Sequence, residues 1–279
     1  MLLHRIISAT VGIIYIILML YIGGWFFKIS VLLMAFILMH EFYRAISNKG
    51  HKPVKAVGYI ALLILYISMI SGNDIYIMPI IGLTFIIGMS LPVIFQSISI
   101  VDITMTLFAV IYPGAMILYL IPLGFNIQTY GYFFLLLTFA ITWATDTFAY
   151  FLGIKFGKKK LCPSISPKKT VEGSLGGLLG SIFAGIIMGL IFNNNYNASI
   201  PFIHFIMMGT VGGICSQIGD LAASSIKRYC GIKDFGRLLP GHGGLLDRFD
   251  SILFTAPLLY FYILLFINNI VKDMSHLLN

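Results

Sequence analysis

The sequence predicts an all-α integral membrane protein, a polytopic bundle of about nine transmembrane helices with its N-terminus inside and its C-terminus outside. Composition is the first ground for this. Of 279 residues, 59% are hydrophobic and only 10% charged, whereas soluble domains hold about 45–50% apolar and about 25% charged residues. A mean hydropathy of +0.96 excludes a soluble enzyme, a disordered chain and a nucleic-acid-binding arm, because the polar surface is too small to cover a water-exposed globule. The second ground is that apolar runs of about 20 residues, the length that crosses the hydrocarbon, recur along the whole chain. The third is a one-sided distribution of basic residues.

The runs follow in order. Ile6–Phe27 comes after the basic Arg5 and lacks a small-residue cleavage site, so it reads as a retained span rather than a signal peptide. Only Lys28 separates it from Ile29–Ser47, which makes the pair a tight hairpin or one bent helix. Val54–Ser71, Ile75–Phe95 and Ile103–Pro122 complete an N-terminal set over residues 1–140. Residues 141–279 form the expected catalytic region, with Tyr132–Leu152 leading in, then Leu175–Phe192, Pro201–Gly219 and Ser251–Val271. Two inner loops, Ile154–Ser174 and Asp220–Asp250, hold most of its polar residues.

With the N-terminus inside, sixteen of the eighteen Lys and Arg fall on the inner side, and only Lys28 and Lys272 fall outside. Cytoplasmic loops of membrane proteins carry this bias. The net charge of +8 therefore reports orientation and contact with anionic headgroups rather than nucleic acid. The triplet Lys158–Lys160 reads as such topology charge. Cys162, Cys215 and Cys230 form no CxxC pair and no His/Cys metal spacing, so neither disulfides nor zinc are indicated. Gly176, Gly177, Gly180 and Gly185 permit close helix contact, within the protomer or across a homodimer.

Asp146 and Asp220 each stand at the inner end of an apolar stretch. An ionisable group at membrane depth is costly and marks a functional site, unless it merely reaches the interface from a helix end. Asp247 and Asp250, spaced i and i+3, share one helix face and repel unless a cation lies between them. A hard divalent ion such as Mg²⁺ suits that spacing, held by one or two carboxylates and substrate phosphate oxygens, and Asp220 could close the site from the other side. The alternative is a solvated loop whose Asp and Arg residues pair with each other. Around the carboxylates lie Lys227, Arg228, Lys233, Arg237 and Arg248. Such cations cancel triphosphate and pyrophosphate charge in nucleotidyl transfer. The turn Pro240–Gly244, with Gly243 and Gly244, lets backbone N–H groups approach phosphate.

The run Ser224–Asp250, S-x-x-K-R-x4-K-D-x-G-x2-L-P-x-H-G-G-x2-D-R-x-D, resembles the signature of the CDP-diacylglycerol synthases, or phosphatidate cytidylyltransferases. Asp146–Tyr150 with Gly153, Ser166–Thr170 with Glu172 and Gly173, and Gly219–Leu221 resemble other blocks of that family; Phe148 and Val171 depart from Gly and Trp in many members. The resemblance implies transfer of a cytidylyl group from CTP to phosphatidate in the inner leaflet of a bacterial plasma membrane, at a site facing the cytoplasm. It further implies Mg²⁺ on Asp220, Asp247 and Asp250, with Asp146 a ligand or an acceptor behind the ligands. Lys227, Arg228, Lys233 and Arg248 would bind phosphates, Ser166, Lys168, Lys169 and Thr170 would contact CTP, and Glu172 would orient a lysine. His242 either donates to a phosphate or packs in its turn. Rival readings are a CTP-dependent lipid kinase, a glycosyl-phosphate transferase and, from another class, an anionic-metabolite transporter.

Overall fold

Every predicted apolar run becomes a helix in a computed structural model, which describes residues 2–125, 127, 130–196, 200–238, 241 and 243–267. Of the described residues, 81% are helical. Among the described residues the order is α1 (Leu2–Ile22), α2 (Gly24–Asn48), α3 (Lys55–Ile70), α4 (Ile77–Ile94), α5 (Ile100–Phe125), α6 (Gly131–Phe156), a hairpin of β1 (Lys160–Cys162) and β2 (Ser166–Thr170), α7 (Val171–Asn195), α8 (Phe202–Tyr229) and α9 (Leu246–Ile267). Seven of the nine are long and apolar enough to cross a membrane; α1 and α3 are apolar but shorter by that measure. The protein is thus a multi-pass membrane protein. The C-terminal end of the last predicted span, with Lys272, lies outside the described residues.

Three of the differences from the sequence reading have a physical reason. The first two spans part at Gly23 and Gly24, with φ of 61° and 51°, and not at Lys28. Only glycine adopts that left-handed backbone cheaply. Lys28 instead sits inside α2, its ammonium 5.3 Å from the Trp25 ring. The second difference is in α8, which continues through Asp220, Lys227 and Arg228 to Tyr229, ten residues past the predicted end at Gly219. Its extension, rich in Ala, Leu, Lys and Arg, favours helix, and Gly231 at φ 67° turns the chain out of it. Third, the Ile154–Ser174 segment begins in α6 and ends in α7, and between them Lys160–Thr170 forms a hairpin in which Lys160 faces Thr170 and Cys162 faces Ser166.

Two compact units result. One comprises the chain up to Pro122 together with Ile226–Phe249; the other comprises Leu123–Ser225 with the segment from Asp250 onward. In the first, the Ser99 hydroxyl accepts from the Asp102 N–H at 3.1 Å and caps α5. The Asp102 carboxylate takes the Lys52 N–H at 2.6 Å and so ties the α2–α3 turn to that cap.

In the second unit, α7 packs through the four glycines that the sequence marked. A Cβ on Gly177 would stand 2.9 Å from the Thr145 carbonyl, one on Gly180 would meet the Phe148 ring, and one on Gly185 would meet the Phe205 carbonyl. Gly176 lies against Leu152. These glycines therefore serve contacts with α6 and α8 of the same chain. They hold α6 and α7 close enough to fix the geometry of the polar residues at their ends.

Candidate active site

The second unit contains a cavity of about 590 Å³ where α6, the hairpin, α7 and α8 converge. Asp146 from α6 lines it, as do Lys160 from β1, Lys168, Lys169 and Thr170 from β2, and Asp220 from α8. Ala149, Tyr150, Ile154 and Leu161 give it an apolar wall. The hairpin presents its lysines to this space because its base is clamped from below. Glu172, in the first turn of α7, accepts the backbone N–H groups of Lys158 and Lys159 at 3.0 and 3.2 Å. Thr170 Oγ1 caps α7 by accepting the Gly173 N–H at 3.1 Å. Gly157 keeps this corner open, since a Cβ there would lie 2.7 Å from Thr170 Oγ1.

Lys169 Nζ and Asp220 Oδ2 form an ion pair at 2.5 Å, with 28% and 30% of the side chains exposed. Behind Asp220, the Ser224 hydroxyl donates to its other oxygen at 3.4 Å. Ser174 Oγ donates to Gln217 Oε1, and Gln217 Nε2 donates to the Ser174 carbonyl at 3.2 Å, which links α7 to α8 across the cavity floor. Three ammonium groups and two carboxylates on one half-open surface suit a polyanion that brings a divalent cation with it. The volume falls within the range of about 300–1,000 Å³ typical of small-molecule sites.

The Gly-rich segment lies in the first unit and is built around buried charge. Asp247 Oδ1 pairs with Lys227 Nζ at 2.8 Å, their side chains 4% and 11% exposed. Its Oδ2 accepts the Phe235 N–H at 2.8 Å and the Gly244 N–H at 2.9 Å. From α2, Glu41 takes the Leu245 and Leu246 N–H groups at 3.0 and 2.8 Å, satisfying donors at the start of α9 that have no partner within the helix. Gly244 permits this, since a Cβ there would come 2.5 Å from Glu41 Oε2. Arg44 donates to the Phe235 carbonyl at 2.9 Å. Replacing Glu41 by Ala leaves two N–H groups without acceptors and should cost about 2 kcal/mol or more of stability. Glu41→Gln keeps an acceptor and should cost less; thermal unfolding of the purified variants orders the two.

The structure thus brings together Asp146, Lys168, Lys169, Thr170 and Asp220 in one cavity, and Lys227 of α8 and Asp247 of α9 around the loop of Gly243 and Gly244. Ser166 opens β2 outside the cavity lining. Glu172 holds backbone amides of lysines. Arg228 donates to the Ile232 carbonyl at 3.5 Å, Lys233 and Arg248 are exposed, and Asp250 is buried with one oxygen on the Ser251 N–H at 2.8 Å. His242 lies outside the described residues. Among the described residues, no three His, Cys, Asp or Glu side chains group as metal ligands.

Lys160, Glu41 and Gln217 escaped the sequence reading. A lysine triplet reads as topology charge until the hairpin register turns Lys160 into the cavity. Glu41 has its partners 204 and 205 residues away. Gln217 gave no sequence signal at all.

The sequence as a whole is similar to those of known proteins. The model of the cytidylyltransferase family matches residues 3–266. A phosphatidate cytidylyltransferase of Bacillus subtilis (strain 168) is 33% identical over 271 residues, covering 94% of this chain and 98% of that protein. One from Staphylococcus saprophyticus is 34% identical over 259 residues, with 91% and 96% covered. One from Synechocystis sp. is 32% identical over 292 residues, with 94% and 96% covered.

Proposed function

The chain belongs to the cytidylyltransferase family, and from that premise we infer that it transfers the cytidylyl group of CTP to phosphatidate, giving CDP-diacylglycerol and pyrophosphate for phospholipid synthesis. The observation that carries this reading is the cavity of the second unit, where Lys160, Lys168 and Lys169 share one surface with Asp146 and Asp220. A triphosphate placed there has its charge met by three ammonium groups. The apolar wall of Tyr150, Ile154 and Leu161 suits a lipid whose phosphate enters while its chains stay in hydrocarbon, since withdrawing each CH₂ costs about 0.8 kcal/mol.

A phosphatidate oxygen, ionised near neutral pH, attacks the α-phosphorus of CTP as the bond to the β-phosphate oxygen breaks, and pyrophosphate leaves. No strong base is required, so the chain's task is positioning and charge stabilisation. Lys169, aligned by Asp220, and Lys168 stabilise the charge that develops on the transferred phosphorus and the leaving group. Asp220 and Asp146 are suited to hold Mg²⁺ there, with Asp250 a further candidate, and the ion would supply Lewis-acid polarisation of phosphate oxygens. Asp247, with both oxygens engaged, acts first as the anchor that shapes the Gly-rich loop. The rival kinase and transporter readings have no support among the relatives, which are phosphatidate cytidylyltransferases by name.

The sixteen-to-two basic split supports a cytoplasmic site that draws phosphatidate from the inner leaflet of the plasma membrane. In a cysteine-free background, Asn195→Cys at the end of α7 should then react with an impermeant maleimide only from outside. Lys159→Cys should react only from within. The reverse pattern in intact cells would overturn the orientation. For the reaction itself, membranes given phosphatidate and CTP labelled at the α-phosphate should yield labelled lipid, whereas γ-labelled CTP should yield only labelled pyrophosphate. Lipid labelled from the γ-position would instead select a kinase.

A further inference from the structure

A second cavity, of about 580 Å³, lies in the first unit between α2, α3 and the segment after α8. We propose that it seats the phosphate of an anionic glycerophospholipid, with the acyl chain running along the outer face of α2. The proposal rests on the membrane-spanning reading of α2 and not on the cytidylyl-transfer reaction.

The cavity's charge is the first argument. Arg44, Arg237 and His40 line it together with Glu41. Glu41 has each oxygen on a backbone N–H of Leu245 or Leu246, so its charge already serves the start of α9. Arg44 uses one guanidinium nitrogen on the Phe235 carbonyl and has other donors left. Among the described residues, Arg237 and His40 make no hydrogen bond or ion pair. Two arginine forks at one opening, one of them uncommitted, match a phosphate group in geometry and in charge.

The second argument is the surface leading to that opening. Ile29, Leu33, Ile37, His40 and Arg44 succeed one another at spacings of four, four, three and four residues, which places them on one face of α2. The three apolar members are 49%, 54% and 36% exposed. From Ile29 to Ile37 the helix rises about 12 Å, close to the roughly 15 Å of hydrocarbon in one leaflet. The face thus changes from apolar to cationic over about the depth at which a phospholipid changes from chain to headgroup. Phe36 and Tyr59, whose ring centroids are 5.4 Å apart, form the cavity's apolar side. A free phosphate ion would leave that apolar track unused.

Binding of dioctanoyl phosphatidylglycerol, which is neither reactant nor product of the proposed reaction, to the detergent-purified full chain tests the site by native mass spectrometry. Dioctanoyl phosphatidylcholine and inorganic phosphate serve as separate arms. Phosphatidylglycerol should bind at least about tenfold more tightly than phosphatidylcholine, and inorganic phosphate should bind more weakly than either lipid. Arg237→Gln should weaken phosphatidylglycerol binding at least about fivefold, Arg237→Lys should retain most of it, and neither should move the thermal midpoint. Equal binding of the two lipids, or an unchanged affinity in Arg237→Gln, would overturn the proposal. Inorganic phosphate binding as tightly as the lipid would overturn it too, in favour of a soluble anion. Because no reactant is used, failure here leaves the cytidylyl-transfer reading standing, and failure of that reading leaves this site standing.

Discussion

Asp220→Asn and Lys169→Met should each lower CDP-diacylglycerol formation by at least about a hundredfold, equivalent to about 2.7 kcal/mol of lost transition-state stabilisation. The two side chains pair at 2.5 Å and remain about 30% exposed on the cavity wall. An ion pair so open to solvent is worth about 1 kcal/mol or less to folding, so both variants should keep a thermal midpoint close to the parent's. Lost turnover with retained stability is what distinguishes a group acting on substrate from one holding the fold. Exchanging the residues, Lys169→Asp with Asp220→Lys, preserves the pair but reverses each charge's place. It should fold and remain inactive. Rates within a few-fold of the parent in either single variant would remove the pair from the reaction.

The signal for this site lay in the sequence only in part. Asp146 and Asp220 were legible because charge at the end of a long apolar run is costly and therefore placed for a reason, and Lys168 and Lys169 through the resemblance of their block to the phosphatidate cytidylyltransferases. Their assembly was not legible, since it depends on glycines of α7 that admit Thr145, Phe148 and Phe205 of neighbouring helices. The same pattern of small residues would equally suit contact between two chains. The end of α8 was hidden for another reason. Hydropathy marks where lipid contact stops, while the helix continues on propensity to Tyr229. Asp247 carries a second role that spacing does not reveal: at i and i+3 from Asp250 it reads as half of an ion site, and its oxygens also take Lys227 and the Phe235 and Gly244 N–H groups.

That environment sets the second large effect. Asp247→Asn keeps the side chain's shape but leaves the buried Lys227 ammonium without a counter-charge, and it turns an amide donor toward N–H groups or Lys227. Breaking a buried pair by removing one partner costs about 3–5 kcal/mol. The variant should therefore lose thermal stability by several degrees and lose activity along with it. Lys227→Met should be milder, because Asp247 retains the Phe235 and Gly244 N–H donors. Asp250→Asn should behave differently again. As a candidate Mg²⁺ ligand it should lose turnover at nearly unchanged stability, and higher Mg²⁺ should restore part of the rate through mass action. Thermal unfolding and initial rates across a Mg²⁺ titration separate the three. An Asp247→Asn protein with the parent's midpoint, few-percent activity and recovery at high Mg²⁺ would show that its carboxylate binds the ion rather than the loop.

The central claim is that the cavity walled by Lys160, Lys168, Lys169 and Asp220 receives the CTP triphosphate, and protection of a thiol placed in that cavity tests it most directly. Ile154 lines the cavity and is 68% exposed, so Ile154→Cys in a cysteine-free background offers a reactive group without removing a polar contact. With Mg²⁺ present, CTP should slow maleimide labelling of this cysteine at least about tenfold, and cytidine, which lacks the phosphates, should leave it unchanged. A labelling rate indifferent to CTP, in protein that still converts CTP and phosphatidate to CDP-diacylglycerol, would place the nucleotide elsewhere and contradict the account.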